Sequence, residues 1–78
     1  NNSDHQQPLR FLLPTESLSA RVRFALMQSG YVLRDPDRTG FCGKSHGVEF
    51  FQRDRRMIPL LVNSAFHAGI TGMDLVLA

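Results

Sequence analysis

Gly69-Ile70-Thr71-Gly72-Met73-Asp74-Leu75 reads as the end of a strand, a tight turn and the start of a helix. Apolar residues (Leu60, Leu61, Val62, then Ile70) lead into a pair of glycines, which turn at low steric cost. An acidic-apolar segment follows, with the composition of a helix opening. Such a junction aims backbone N–H groups and the positive end of a helix dipole at one spot, which suits a phosphate or carboxylate. A Gly-x-x-Gly turn is common in itself, so this reading gains weight only from the rest of the chain.

Phe66 to Thr71 is the strand that feeds the turn. Upstream, Met57-Ile58-Pro59-Leu60-Leu61-Val62 suits a helix with Pro59 in its first turn, where a missing N–H costs little. Val48-Glu49-Phe50-Phe51 has strand composition and is followed by the charged run Gln52 to Arg56. Phe41 to Gly47 is glycine-rich and undecided, Arg34 to Gly40 is a turn-rich loop, and Tyr31-Val32-Leu33 suits a short strand. Thr15 or Ser17 caps a helix whose apolar stripe includes Leu18, Val22, Ala25 and Leu26 and is widened by Phe24 and Met27. Gly30 stands where its C-terminus needs a positive φ. Leu9 to Leu13 is a buried strand closed by Pro14, and residues 1–8 read as a disordered tail. Only six residues run from Met73 to Ala78, too few for a stable helix. Residues 9–78 are therefore expected to be a partial lobe, incomplete at its C-terminus, that the rest of a longer chain or a partner completes.

The 78 residues allow one small domain, which buries only about 60 % of its unfolded surface. With 42 % hydrophobic and 21 % charged residues the chain is ordinary for a globular protein, and its formal charge of +2 is too slight to argue for nucleic acid. A single cysteine, Cys42, excludes an internal disulfide and suits a reducing compartment. There is no apolar run of about 18 residues and no signal-peptide pattern, so a cytoplasmic protein without membrane contact is expected.

Laid out this way, Leu9-Arg10-Phe11-Leu12-Leu13-Pro14, Gly30-Tyr31, Met57-Ile58-Pro59 and Ala68-Gly69-Ile70-Thr71-Gly72-Met73-Asp74 fall in an order and spacing that resemble the N-terminal part of the ATP phosphoribosyltransferase catalytic subunit. The resemblance spans Leu9 to Ala78. It implies an α/β fold: a small three-layer fragment with a mainly parallel sheet, one lobe of the type II periplasmic-binding-protein-like kind. It also implies a glycosyltransferase activity, the transfer of phosphoribosyl from its diphosphate donor to N1 of ATP with magnesium, the first step of histidine biosynthesis. The family's Pro-Lys-Gly-Arg is here Pro14-Thr15-Glu16-Ser17, which exchanges a basic group for an acidic one that repels polyphosphate. Met57 and His67 stand where the family has aspartates, and the segment between Pro59 and Gly69 is one residue shorter. The family's diphosphate-binding loop belongs to a later domain, so this chain alone is not expected to be a complete enzyme, and its catalytic residues stay unassigned.

The candidate nucleotide- or phosphate-binding residues are Thr15, Ser17, Arg53, Gly69, Thr71, Gly72 and Asp74. Ligands of open α/β sheets sit at the carboxyl ends of strands, where Thr15 to Leu18 and Thr71 to Asp74 are expected to meet. The cluster Arg53, Arg55 and Arg56 either places a guanidinium fork on a phosphate or forms a solvated loop partly neutralised by Asp54. Asp74 either caps a helix or borders the cleft. Gly43-Lys44-Ser45 fails as a P-loop because Arg38 occupies the position of its first glycine. Cys42 and His46, with His5 and His67 elsewhere, lack the spacing of a zinc site or of a nucleophilic pair. Phe41, Phe50, Phe51 and Phe66 read as core.

Two functions follow. One is part of an ATP phosphoribosyltransferase or a diverged relative, binding ATP or AMP and phosphoribosyl-diphosphate-type ligands. The other is a non-catalytic small-anion or nucleotide-binding module that oligomerises. Nucleic-acid contact through Arg53 to Arg56 is not expected, because no reader fold accompanies the cluster.

Overall fold

The computed structural model describes residues 8–15, 17–62, 64–71 and 74–77. Residues 1–7 of the expected tail, together with Glu16 and Gly72, lie outside them, as do the side chains of Ser17, Leu18 and Asp74.

Strand β1 (Leu9–Leu13) leads into helix α1 (Ser17–Gln28). Next come β2 (Phe41–Ser45), β3 (Val48–Gln52), the single-turn helix α2 (Ile58–Leu61), β4 (Ala68–Thr71) and β5 (Asp74–Leu77). The sheet has the order β2-β3-β1-β4-β5. Its centre is parallel, with β1 between β3 and β4, while the edge strands β2 and β5 run antiparallel to their neighbours. The chain is thus a small α/β domain with a mixed sheet.

Alternation along β1 builds two cores, because successive side chains point to opposite faces. Leu12 packs with Ile58 and Val62, joined by Phe51, Leu61 and Phe66, beneath α2. Leu13 packs with Cys42 and Phe50, joined by Val22, Leu26 and Tyr31, beneath α1. The two helices therefore cover opposite faces. Each fully buried side chain of this size contributes about 1.5–3 kcal/mol, so Leu12, Leu13, Phe50 and Ile58 carry much of the fold. All four phenylalanines expected in the interior contribute: Phe50 is buried, while Phe41, Phe51 and Phe66 are half-buried and stack on one another through Phe51.

Helix α1 ends as its glycine requires. Gly30 has φ 99°, its N–H donates to Met27 O (3.1 Å), and the Tyr31 N–H donates back to Leu26 O (3.0 Å). This is a Schellman motif, with Leu26 and Tyr31 meeting in the core as its apolar contact. The apolar stripe is narrower than expected. Phe24 and Met27 are exposed (62 % and 57 %), and among the described side chains of α1 only Val22 and Leu26 reach the sheet-side cluster. Arg23 is half-buried beside them, its guanidinium donating to Arg34 O (2.7 Å) and to Cys42 Sγ (3.6 Å).

Two expectations about elements are corrected, and one undecided stretch is settled. Tyr31 to Leu33 forms no strand, because the Val32 N–H is taken by Ser45 Oγ (3.1 Å) and the first backbone bond to β2 comes only at Arg34. The undecided Phe41 to Gly47 stretch resolves into β2 and the two-residue turn His46-Gly47. Both turn residues have positive φ (52° and 78°), as the tightest hairpins require.

The second correction concerns the segment after Gly72. Asp74 to Leu77 is not a helix start but a strand, paired with β4 from Thr71↔Asp74 to Ala68↔Leu77. One incipient helical turn must meet the cost of nucleation before it gains a hydrogen bond. The open edge of β4 offers backbone partners at once, and Leu75-Val76-Leu77 has the composition to accept them. Strand β4 itself begins two residues later than expected. Phe66 forms an isolated bridge to Val62, and His67 clamps Arg10, donating its N–H to Arg10 O (2.9 Å) and accepting the Arg10 N–H at Nδ1 (2.9 Å).

Candidate functional site

The chain leaves β1 through α1 to reach β3 on one side, then crosses through α2 to β4 on the other. The order therefore reverses beside β1, between it and β4. In open α/β sheets the crevice outside the carboxyl ends of the strands at such a reversal is where ligands bind. Register places the relevant residues level with one another: Leu13 pairs with Gln52, and Leu12 with Gly69, so Pro14, Arg53 and Thr71 come next at the same edge.

Three tethers hold this edge. Gln52 Nε2 donates to Pro14 O (3.2 Å) and to Ser19 Oγ (2.7 Å), joining β3 to the end of β1 and the first turn of α1. The Arg53 N–H donates to Leu13 O (2.9 Å). Thr71 Oγ1 donates to Arg55 O (3.1 Å), joining the end of β4 to the loop after β3.

The candidate residues separate on this frame. Thr15, Arg53 and Thr71 lie at the carboxyl edge, with Ser17 opening α1 there and Asp74 opposite Thr71 at the start of β5. Gly69 lies inside β4, where an added Cβ would stand 2.5 Å from Ile58 Cγ2 and 3.0 Å from Leu12 Cβ. Its lack of a side chain therefore serves packing. Because Asp74 begins a strand, no helix dipole is aimed at the crevice from that side.

The arginine cluster divides into distinct roles. Asp54 accepts from the Arg56 side chain (3.0 and 3.2 Å) and backbone N–H (2.9 Å), which, with Arg55 adding its charge, lowers its pKa from 3.8 to about 2. Arg53 is half-buried: one guanidinium nitrogen donates to Thr39 O (2.6 Å) and Gln52 O (2.8 Å), and the group lies 5.8 Å from the Phe51 ring centroid. Among the described residues no carboxylate comes within ion-pair distance of Arg53, Arg55 or Arg38.

Two features at this edge escaped the reading of the chain. One is Gln52, whose amide stitches two strand ends. The other is an open depression of about 520 Å³ between the Pro36–Gly40 turn and Gln52–Arg53. The turn is built by Asp37, whose carboxylate accepts from the Thr39 hydroxyl, the Thr39 N–H (2.7 Å) and the Phe41 N–H (3.2 Å); these bonds, led by the Thr39 hydroxyl, hold its pKa below the usual value. Pro36-Asp37-Arg38-Thr39-Gly40 carries the signal of a side-chain-stabilised turn, but nothing in the sequence says that Arg53 docks on it.

The stretch Gly43-Lys44-Ser45 lies within β2, with Ser45 buried, so it forms no phosphate loop. Cys42 is buried, and burial raises its pKa while Arg23 partly opposes the shift. Among the described residues no three His, Cys, Asp or Glu side chains gather. No described helix is long and apolar enough to cross a membrane.

Set beside models of known protein families, characterised proteins and solved structures, the chain matches none of them.

Proposed function

We propose that the chain is a small-anion or nucleotide-binding α/β module whose ligand lies at the carboxyl edge, between the ends of β1 and β4. One observation carries this reading. The strand order reverses beside β1 at the edge where the Arg53–Arg56 loop is bonded to Thr71. An anion there would meet the start of α1 on one side and the Arg55 guanidinium on the other, and guanidinium groups bind phosphate oxygens through paired N–H bonds. Calorimetric titration with ATP and AMP, with and without magnesium, tests it on the wild type and on Arg55→Ser. Saturable binding that the variant weakens is expected. Absence of heat from a folded sample would remove the proposal.

A narrower reading, part of an ATP phosphoribosyltransferase or a diverged relative, is favoured by the Leu9–Tyr31 unit. Its strand, helix and glycine cap lie along the motif order that the resemblance uses. In that case the ligand is ATP, magnesium arrives on its phosphates, and the phosphoribosyl donor belongs to a second lobe. Base selectivity separates the two readings. Binding of ATP that GTP does not displace supports the narrower one, whereas equal binding of any polyphosphate leaves the plain anion module.

A further inference from the structure

We propose a second anion site, distinct from the crevice between β1 and β4: the depression lined by Pro36 to Gly40 with Gln52 and Arg53 binds a diphosphate group. Its cations are Arg53 and Arg38, both of which line it. Arg53 is half-buried, and its guanidinium is held by two neutral carbonyl oxygens, Thr39 O and Gln52 O, and by the Phe51 ring. Those contacts fix the position of the guanidinium without neutralising it. Gly40 completes the arrangement, since a Cβ there would collide with the guanidinium.

The result is a preformed cation, paired with no carboxylate among the described residues, at the wall of an open cavity, with Arg38 on the same turn. A site of this kind binds with little loss of side-chain freedom, since one donor is already held in place. Phosphate oxygens suit the guanidinium fork better than a point acceptor does, and about 520 Å³ admits a diphosphate. Asp37 also lines the cavity. Its Oδ1 is occupied by the Thr39 and Phe41 donors, yet it keeps its negative charge and opposes the ligand. That opposition supplies a second, opposite test.

Chemical-shift titration of the labelled protein with inorganic diphosphate checks the proposal. Saturable shifts are expected at Thr39, Gly40 and the Arg53 side chain. Arg38→Ser should weaken binding about fivefold, the scale of one exposed charge contact, and Asp37→Asn should tighten it. Comparison with AMP and ADP separates free diphosphate from the diphosphate of a nucleotide, since only ADP and diphosphate should bind here. The proposal is overturned by shifts that do not saturate, or by binding indifferent to both substitutions. Shifts confined to Arg55 and Thr71 would overturn it too while sparing the crevice; loss of the crevice alone leaves this site standing.

Discussion

The Arg53 guanidinium occupies the space that a side chain on Gly40 would need, and Gly40 holds φ at 86°. Gly40 is therefore constrained twice, by backbone conformation and by the neighbour it admits. Its own N–H closes the Asp37 turn (2.9 Å to Asp37 O), and its carbonyl accepts the Gln52 N–H (2.7 Å). Gly40→Ala is expected to cost about 2 kcal/mol, the left-handed penalty plus displacement of Arg53. Urea denaturation measures it. If that variant keeps wild-type stability, the docking of Arg53 on the turn is wrong.

Gly69 is a different case, limited by space alone. An added methyl would press on Ile58 of α2 and on Leu12 of β1, both fully buried in one cluster. Overpacking of this kind costs about 1–3 kcal/mol. In a domain this small, that is a large part of the total. Thermal unfolding of Gly69→Ala should show a clear drop, and a ligand effect should follow only in proportion to lost folding. Selective loss of nucleotide binding with unchanged stability would instead make Gly69 a ligand contact.

Cys42 should be inert. It is fully buried between Leu13 and Phe50, and burial raises its pKa, so little reactive thiolate is exposed at neutral pH. A thiol reagent at pH 8 is expected to label the unfolded chain rapidly and the folded chain only at the rate of opening. Rapid labelling under native conditions would contradict the placement of β2 against α1.

Asp54 gives a pH dependence whose sign is fixed. Its pKa is lowered on folding from 3.8 to about 2 by the Arg56 bonds. The associated stabilisation is present above the unfolded value and disappears as pH falls through the folded one. Stability should therefore fall between about pH 4 and pH 2, and Asp54→Asn should flatten that part of the profile. An unchanged acid limb in the variant would show that the Asp54–Arg56 contact does not persist in solution.

Local chemistry made much of the fold legible beforehand. Leu9 to Pro14, the helix ended by Gly30, Val48 to Phe51 and the Pro59 turn all announce themselves through composition, capping and proline position. What stayed hidden depends on partners distant in sequence. Asp74 to Leu77 has mixed local preference, and the exposed edge of β4 decides for strand. Tyr31 to Leu33 looks like a strand until the Ser45 hydroxyl takes one of its backbone donors. Phe24 and Met27 follow helical spacing, yet they stay exposed while Val22 and Leu26 reach the sheet beneath α1.

The site shows the same division. That Thr15, Arg53 and Thr71 belong to strand ends could be read from the punctuation around them. That β3 and β4 flank β1, which puts the three at one edge, is a consequence of topology. At Gly69, Gly-x-x-Gly spacing does not distinguish a turn glycine from one that also admits Ile58.

The most direct test of a ligand crevice at the strand-order reversal is a backbone amide chemical-shift map of the labelled protein titrated with ATP. Saturable shifts centred on Thr15, Ser19, Arg55 and Thr71, reduced in Arg55→Ser, are the expected result. Shifts spread over the exposed faces of α1 and α2, or none at millimolar ATP, would contradict the account.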